Sequence, residues 1–278
     1  MTLVLPSAAR HRTRAGTPRV ALAVLGLAAA AALLPRVVAP RDPYAQEVSA
    51  RLRPPSTAHP FGTDELGRDL FSRVVLGTQA SLGVALLALA FAFSLSVLVG
   101  LVAGYFGGPL DRALMAAVDV LLALPSLLVS LLVVSGLGTG PVQLALAVGI
   151  ASVPALARVT RAEVLRVSGQ TFVEAANGFG LSRPRVLVRH VLPHARGPVT
   201  ALAALELASI VLSVSALSFL GYGTQPPAPE WGNLIAGGRD HFATAWWLTA
   251  LPGAVLALVV LALHRVGRVL GASKAGAR

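Results

Sequence analysis

The segment Val173–Val199, VEAANGFGLSRPRVLVRHVLPHARGPV, interrupts a chain that is otherwise strongly apolar. It carries Arg183, Arg185, Arg189 and Arg196 with His190 and His194, against Glu174 alone, and is punctuated by Gly180, Pro184 and Pro193. Within it, TFVEAANGFG reads as a short helix ended by glycine, in which Ala175 and Ala176 allow close backbone approach. Ser182 is placed to cap a second helix, and Pro184 is tolerable in its first turn. Val186, Leu187 and Val191 give that helix an apolar side before Pro193 stops it. Two short helices meeting at a right-angle turn make a knob that fits a groove in another protein. What the knob is attached to follows from the rest of the chain.

The chain is 55% hydrophobic and only 13% charged, with a mean hydropathy of +0.73. A soluble domain needs more charge to keep its surface wet. Six apolar runs are long enough, or nearly so, to cross about 30 Å of hydrocarbon: Val20–Val38, Ala80–Ala103, Ala113–Ser135, Val142–Ala157, Val199–Leu220 and Ala245–Leu263. The sequence therefore predicts an all-α polytopic membrane protein. The first run follows a basic start, as a cleaved signal peptide does, but it continues past Pro35 through Val37 and Val38 and reads as a retained anchor. The fourth is short and contains Pro154.

Net charge is +11, and its distribution speaks for a membrane and against nucleic acid. Arg10, Arg12, Arg14 and Arg19 precede the first run without an acid. Further arginines cluster between Arg158 and Arg196, and Arg265, Arg268, Lys274 and Arg278 close the chain. The stretch from Arg41 to Arg73 instead balances arginines against Asp42, Glu47, Asp64, Glu65 and Asp69. Basic and neutral loops alternate as the positive-inside rule requires, so both termini and the segment 158–198 are expected in the cytoplasm. The expected divisions are a basic tail at 1–19, an anchor at 20–39, an extracytoplasmic loop at 40–75, a core at 76–265 and a second basic tail at 266–278. In the extracytoplasmic loop, Leu66, Leu70 and Val74 recur at helical spacing, which predicts an amphipathic surface helix with Asp69 and Arg73 as an i,i+4 pair.

The residues exclude most chemistry. There is no cysteine, and Lys274 is the sole lysine, so no phosphate-binding loop with its lysine can exist here. His190 and His194 stand four apart, but Pro193 lies between them and no Glu follows His190, which removes the helical zinc motif. No Gly-x-Ser-x-Gly elbow occurs. Neither a catalytic nor a metal site is expected. Asp119 and Glu206 are costly in hydrocarbon and should face the bundle or a wet cavity. With Ser126, Ser130, Ser209 and Ser213 they are candidates for a solute path, and equally for interhelical bonding. A proton-coupled secondary transporter would use the two acids, yet no inverted repeat is evident and the knob would have no purpose.

Glu174-Ala175-Ala176, then three residues, Gly180, nine residues, and His190-Val191-Leu192-Pro193 resemble the EAA motif of ABC-importer permeases. HPFGTDELGRDLFSRVVLGTQASL (His59–Leu82), DVLLALPSLL (Asp119–Leu128) and ALSFLGYGTQPPAPEWGNLI (Ala216–Ile235) resemble the second permease subunit of dipeptide, oligopeptide and nickel importers. Departures are Val214, where the family often has glutamate, and the basic carboxy-terminal ending. The resemblance implies a type I importer fold with six transmembrane helices in the bacterial inner membrane. Its cytoplasmic coupling helix would carry Glu174, Ala175, Ala176, Gly180, His190, Leu192 and Pro193 into a cleft of an ATPase. It also implies two ATPase subunits holding ATP and magnesium, a sister permease, an extracytoplasmic solute-binding protein and no cofactor in this chain. Peptide is the expected cargo, and nickel or a metal chelate the alternative.

Overall fold

The computed structural model describes residues 18–39 and 41–275, so Arg10, Arg12, Arg14 and Arg278 of the basic tails lie outside the described residues. Among the described residues the chain is helices and turns, with a single isolated bridge between Thr63 and Asp69 in place of any strand. Helix α1 (Pro18–Leu33) and the one-turn α2 (Pro35–Val38) precede the loop to α3 (Leu70–Phe106). Then come α4 (Gly108–Leu122), α5 (Ser126–Leu137), α6 (Pro141–Ser168), α7 (Thr171–Gly178) and α8 (Arg183–Val186). A π-turn over Leu187–Val191 leads into α9 (Leu192–Phe219), followed by α10 (Trp231–Gly237) and α11 (Trp247–Ala275).

Four helical stretches, Leu70–Phe106, Pro141–Ser168, Arg183–Phe219 and Trp247–Val269, are long and apolar enough to cross a membrane alone. A fifth crossing is broken, with α4 and α5 meeting at 97°. The break falls at Leu124-Pro125, where proline disfavours helical backbone in the residue before it. Helix α1 has 16 residues, about 24 Å at the helical rise, which is short of the hydrocarbon thickness. Helix α2 extends it after an irregular Leu34. The six expected runs thus correspond to four whole helices, one bent pair and one shorter amino-terminal helix.

The most extensive helix pairing joins α3 to α6. Its cause is a stripe of small residues on α3 at four-residue intervals: Ala88, Ala92, Ser96, Gly100 and Gly104, all buried. A Cβ built on Gly100 would lie 2.5 Å from Thr160 Cβ and 2.9 Å from the Ala157 carbonyl oxygen. One on Gly104 would lie 2.9 Å from the Arg161 carbonyl oxygen. Ser96 Oγ donates to the Val153 carbonyl at 3.0 Å. The partner residues advance along α6 as the stripe advances along α3, so the two helices run parallel, backbone against backbone, in the manner of small-residue packing in membranes. Helix α4 is clipped antiparallel to α6 by Arg161, which donates to Asp111 from Nε at 2.6 Å and Nη2 at 2.7 Å, and by Arg158, which reaches Asp119 at 2.6 Å.

Three expectations are corrected. The amphipathic helix over Leu66–Val74 is absent in its first half. Asp64 accepts from the amides of Leu66 and Arg68, each at 2.9 Å, and so offers that backbone a turn in place of a helix. Asp69 is then the N-cap of α3, accepting from Ser72 N at 2.8 Å and from Ser72 Oγ at 2.7 Å. Its carboxylate is paired with His59 at 2.8 Å, while Arg73 faces Asp64 at 3.5 Å, so the expected Asp69–Arg73 pair does not form. Second, 158–198 is mostly not a loop, because α6 continues to Ser168 and the next long helix begins at Arg183. Third, Pro193 does not stop the second helix. The Leu192 amide bonds to the Leu187 carbonyl across the π-turn, and this widened turn ahead of the proline carries the helix through.

Replacing Gly100 or Gly104 by valine is expected to force α3 and α6 apart and to destabilise the purified protein by about 1–3 kcal/mol. Gly83 lies on the same helix with open space around it, and Gly83→Val is expected to leave the melting temperature within about a degree of wild type, because nothing there is overpacked. Thermal unfolding in detergent of the three variants is the measurement. Equal loss at all three positions would refute the close-approach account.

Candidate functional site

The knob is built on the ends of α6 and α9. Val164 and Val167 from α6, Val173 and Ala176 from α7, and Val186, Leu187, Val191 and Ala195 beyond the turn form one buried cluster, packed against Leu101 and Tyr105 of α3. Helix α7 ends in a Schellman arrangement. The Leu181 amide bonds to the Ala176 carbonyl at 3.4 Å and the Gly180 amide to the Asn177 carbonyl at 3.0 Å. Gly180 itself sits at φ +79°, in the left-handed region. Open space surrounds it, so backbone conformation alone, and not crowding, asks for glycine there.

The knob's outer face is unusual for a surface in water. Phe179 is 86% exposed and Val188 62% exposed. Glu174, Ala175, Arg183, Arg185 and Arg189 of the same knob are exposed as well. Of the residues singled out from the sequence, Glu174, Ala175, Gly180 and Pro193 lie on this outer side. Ala176 is turned inward onto the knob's own core, and His190 and Leu192 are half-buried. His194 Nδ1 bonds to the His190 carbonyl at 2.6 Å, and its ring packs on Phe172 with centroids 4.8 Å apart. That nitrogen is therefore committed within the fold.

The candidate path residues separate into three sets. Glu206, Ser209 and Ser213 share one face of α9 by their spacing, and none is fully buried. Ser126 and Ser130 lie on α5, where Ser130 is buried and donates to the Ser126 carbonyl of its own helix at 2.9 Å. Asp119 is engaged by Arg158, which supports the interhelical reading for that acid.

Sequence reasoning passed over Glu230. This carboxyl is buried at the end of the bundle away from the knob, where it caps α10 in a reciprocal box with Asn233. It accepts from Ser81 Oγ at 3.2 Å and from the Gly232 amide at 3.4 Å, while Ser81 Oγ in turn accepts from Trp231 N at 3.0 Å. The Trp231 indole donates to the Val74 carbonyl at 3.2 Å. Helix α3 and the α9–α11 connection are thereby tied through one carboxyl. Burial pushes the Glu230 pKa above the ordinary carboxylate range, and the donors Gly232 and Ser81 pull it back only in part. The signal available in the sequence was the E-W-G-N order, a capping pattern ahead of a short helix.

The bundle is organised on the parallel α3–α6 pair and carries the knob between two of its long helices, α6 and α9. The chain belongs to the family described as binding-protein-dependent transport system inner membrane component, which matches residues 96–271. Curated relatives include a probable D,D-dipeptide transport system permease protein of Escherichia coli, 38% identical over 83% of this chain and 77% of that one. A di/tripeptide transport system permease protein of Pseudomonas aeruginosa is 39% identical over 83% of this chain and 78% of that one. In fold, the chain is similar to an amino acid ABC transporter solved by crystallography, with a TM-score of 0.59 at 15% identity, covering 73% of this chain and 95% of that chain. A methionine ABC transporter in inward-facing conformations gives a TM-score of 0.58 at 18% identity, covering 72% and 95%. This chain is accordingly an ABC-importer permease of the inner membrane, with an all-α type I fold.

The Glu230 carboxyl carries a testable pH dependence. Because its folded pKa is raised, its favourable contribution is fully present below the unfolded carboxylate value of 4.5 and is lost as pH rises through the folded value. Glu230→Gln keeps the cap but cannot ionise. The difference in melting temperature between variant and wild type is expected to grow in the variant's favour between about pH 4 and about pH 8. A constant difference across that range would contradict the burial argument.

Proposed function

We propose that the chain forms half of the translocation path of an ATP-driven importer for di- or oligopeptides and takes its power stroke through the knob at α7. The carrying observation is that Phe179 and Val188 stand exposed, together with Arg183, Arg185 and Arg189, on a knob that has its own buried apolar core. Large apolar side chains held out into water by an ordered scaffold mark a protein contact. The partners on this reading are two ATPase subunits that bind ATP and magnesium, a sister permease, and an extracytoplasmic solute-binding protein. The knob and both termini lie in the cytoplasm. Peptide as cargo is supported by the relatives, whose names specify dipeptide, di/tripeptide and glutathione transport. The hydroxyl and carboxyl groups of Ser209, Ser213 and Glu206 on one face of α9, which make no hydrogen bond among the described residues, suit a cargo that brings its own amides and charges.

In the whole complex, Glu174→Lys and Gly180→Val are expected to insert normally yet abolish transport and weaken co-purification of the ATPase subunits. At Gly180 a β-branched residue meets a left-handed backbone, at a cost of roughly 1–2 kcal/mol, which distorts the knob without touching the membrane helices. Normal transport by both variants with intact complexes would refute the coupling role. For the cargo, deletion of the gene is expected to abolish uptake of a labelled di- or tripeptide and leave nickel accumulation unchanged. Lost nickel uptake with peptide uptake retained would replace the peptide reading by the metal one.

A further inference from the structure

Beside the break between α1 and α2 lies a cavity of about 640 Å³, bounded on its other side by the first turns of α3. Its polar lining is Arg36, Arg41, Asp42, Tyr44, Ser72 and Gln79, with Leu76 and Ala39 among its apolar residues. The arginines elsewhere in this loop are spent. Arg51 Nε donates to the Glu65 carbonyl and Arg53 Nη2 to the Ser49 carbonyl, while Arg68 and Arg73 face Asp64. The guanidinium groups of Arg36 and Arg41 make no hydrogen bond or ion pair among the described residues. Asp42 is the one carboxylate in the lining, and its Oδ1 already accepts from Tyr44 N at 2.9 Å. The cavity is thus left with a net positive charge and free donors.

Its depth in the membrane is set by its neighbours. Leu33 and Val37, on either side of the helix break, are 78% and 75% exposed, which places hydrocarbon against them. Tyr44, an amphipathic ring of the interfacial kind, lines the cavity. Below, Ala31, Val38, Ala39, Phe71 and Val75 pack together and hold α2 against α3, so the cavity is formed before any ligand arrives. Guanidinium donors just beyond an apolar lip occupy the level of lipid phosphates.

We propose that this cavity binds the headgroup of an anionic phospholipid, with the phosphate between Arg36 and Arg41 and an acyl chain along Leu33 and Val37. A free anion would satisfy the guanidiniums but would leave the apolar lip uncovered, whereas a lipid meets both. Such a lipid fills the wedge that the α1–α2 break opens and joins the amino-terminal helix to α3.

The test uses the full chain in its complex, delipidated in detergent and titrated with phosphatidylglycerol or phosphatidylcholine, with bound lipid read by native mass spectrometry. One phosphatidylglycerol per permease is expected to be retained in preference to phosphatidylcholine. The Arg36→Gln, Arg41→Gln double variant is expected to retain it about 30-fold more weakly. Arg265→Gln, at the far end of α11, is expected to change nothing. Undiminished retention in the double variant, an equal loss in Arg265→Gln, or displacement of the lipid by millimolar inorganic phosphate would each overturn the proposal.

Discussion

The fold rests on two backbones being allowed to touch. In hydrocarbon there is no hydrophobic drive between helices, so association depends on how closely they can approach and on the few polar bonds they share. The Ala88–Gly104 stripe gives α3 a flat side along its second half, and α6 lies on it with Ser96 bonded across the seam. Everything else is referred to this pair. Helix α4 is fixed to α6 by the Arg161–Asp111 and Arg158–Asp119 ion pairs. Helix α9 packs against both α3 and α6, and α11 against α9. The charges that membrane helices must carry for this purpose are neutralised in place.

The functional surface inherits its rigidity from the same pair. The knob's core takes Val164 and Val167 from the last turns of α6 and leans on Leu101 and Tyr105 of α3. It is not a tethered loop but the capped end of the bundle. A load on the knob is therefore borne by α6 and α9, whose residues build its core. The opposite end is closed in a similar spirit by Glu230 and Trp231, which draw α3 and the α9–α11 connection together through buried polar bonds.

Much of this was legible in the sequence. Hydropathy located four crossings that form whole helices and a fifth that forms a bent pair. The glycine after the Glu174 helix announced a left-handed turn, which Gly180 makes. The misreadings share one physical origin, which is that local chemistry competes with periodicity. Leu66, Leu70 and Val74 keep helical spacing, yet Asp64 captures the amides that a helix would need. Pro193 is a helix breaker by propensity, yet the preceding turn widens to admit it. Glu230 escaped notice because a lone acid in a Pro-rich loop looks solvated; only the tertiary approach of Ser81, 149 residues away in sequence, reveals its burial.

The widened turn at Leu187–Val191 also sets a phase. A π-turn holds one residue more than the α-helical turn it replaces, so each side chain beyond it is rotated by about 100° relative to an uninterrupted helix. The 37-residue rod from Arg183 to Phe219 is in effect two helices sharing an axis but not an azimuth. One presents Val186 and Leu187 to the knob, and the other presents Glu206, Ser209 and Ser213 along the bundle. The π-turn thus separates the azimuth of the residues that face the knob from that of the Glu206, Ser209 and Ser213 face within one helical stretch. A sequence can drift on one side of that joint without turning the other side away from its task.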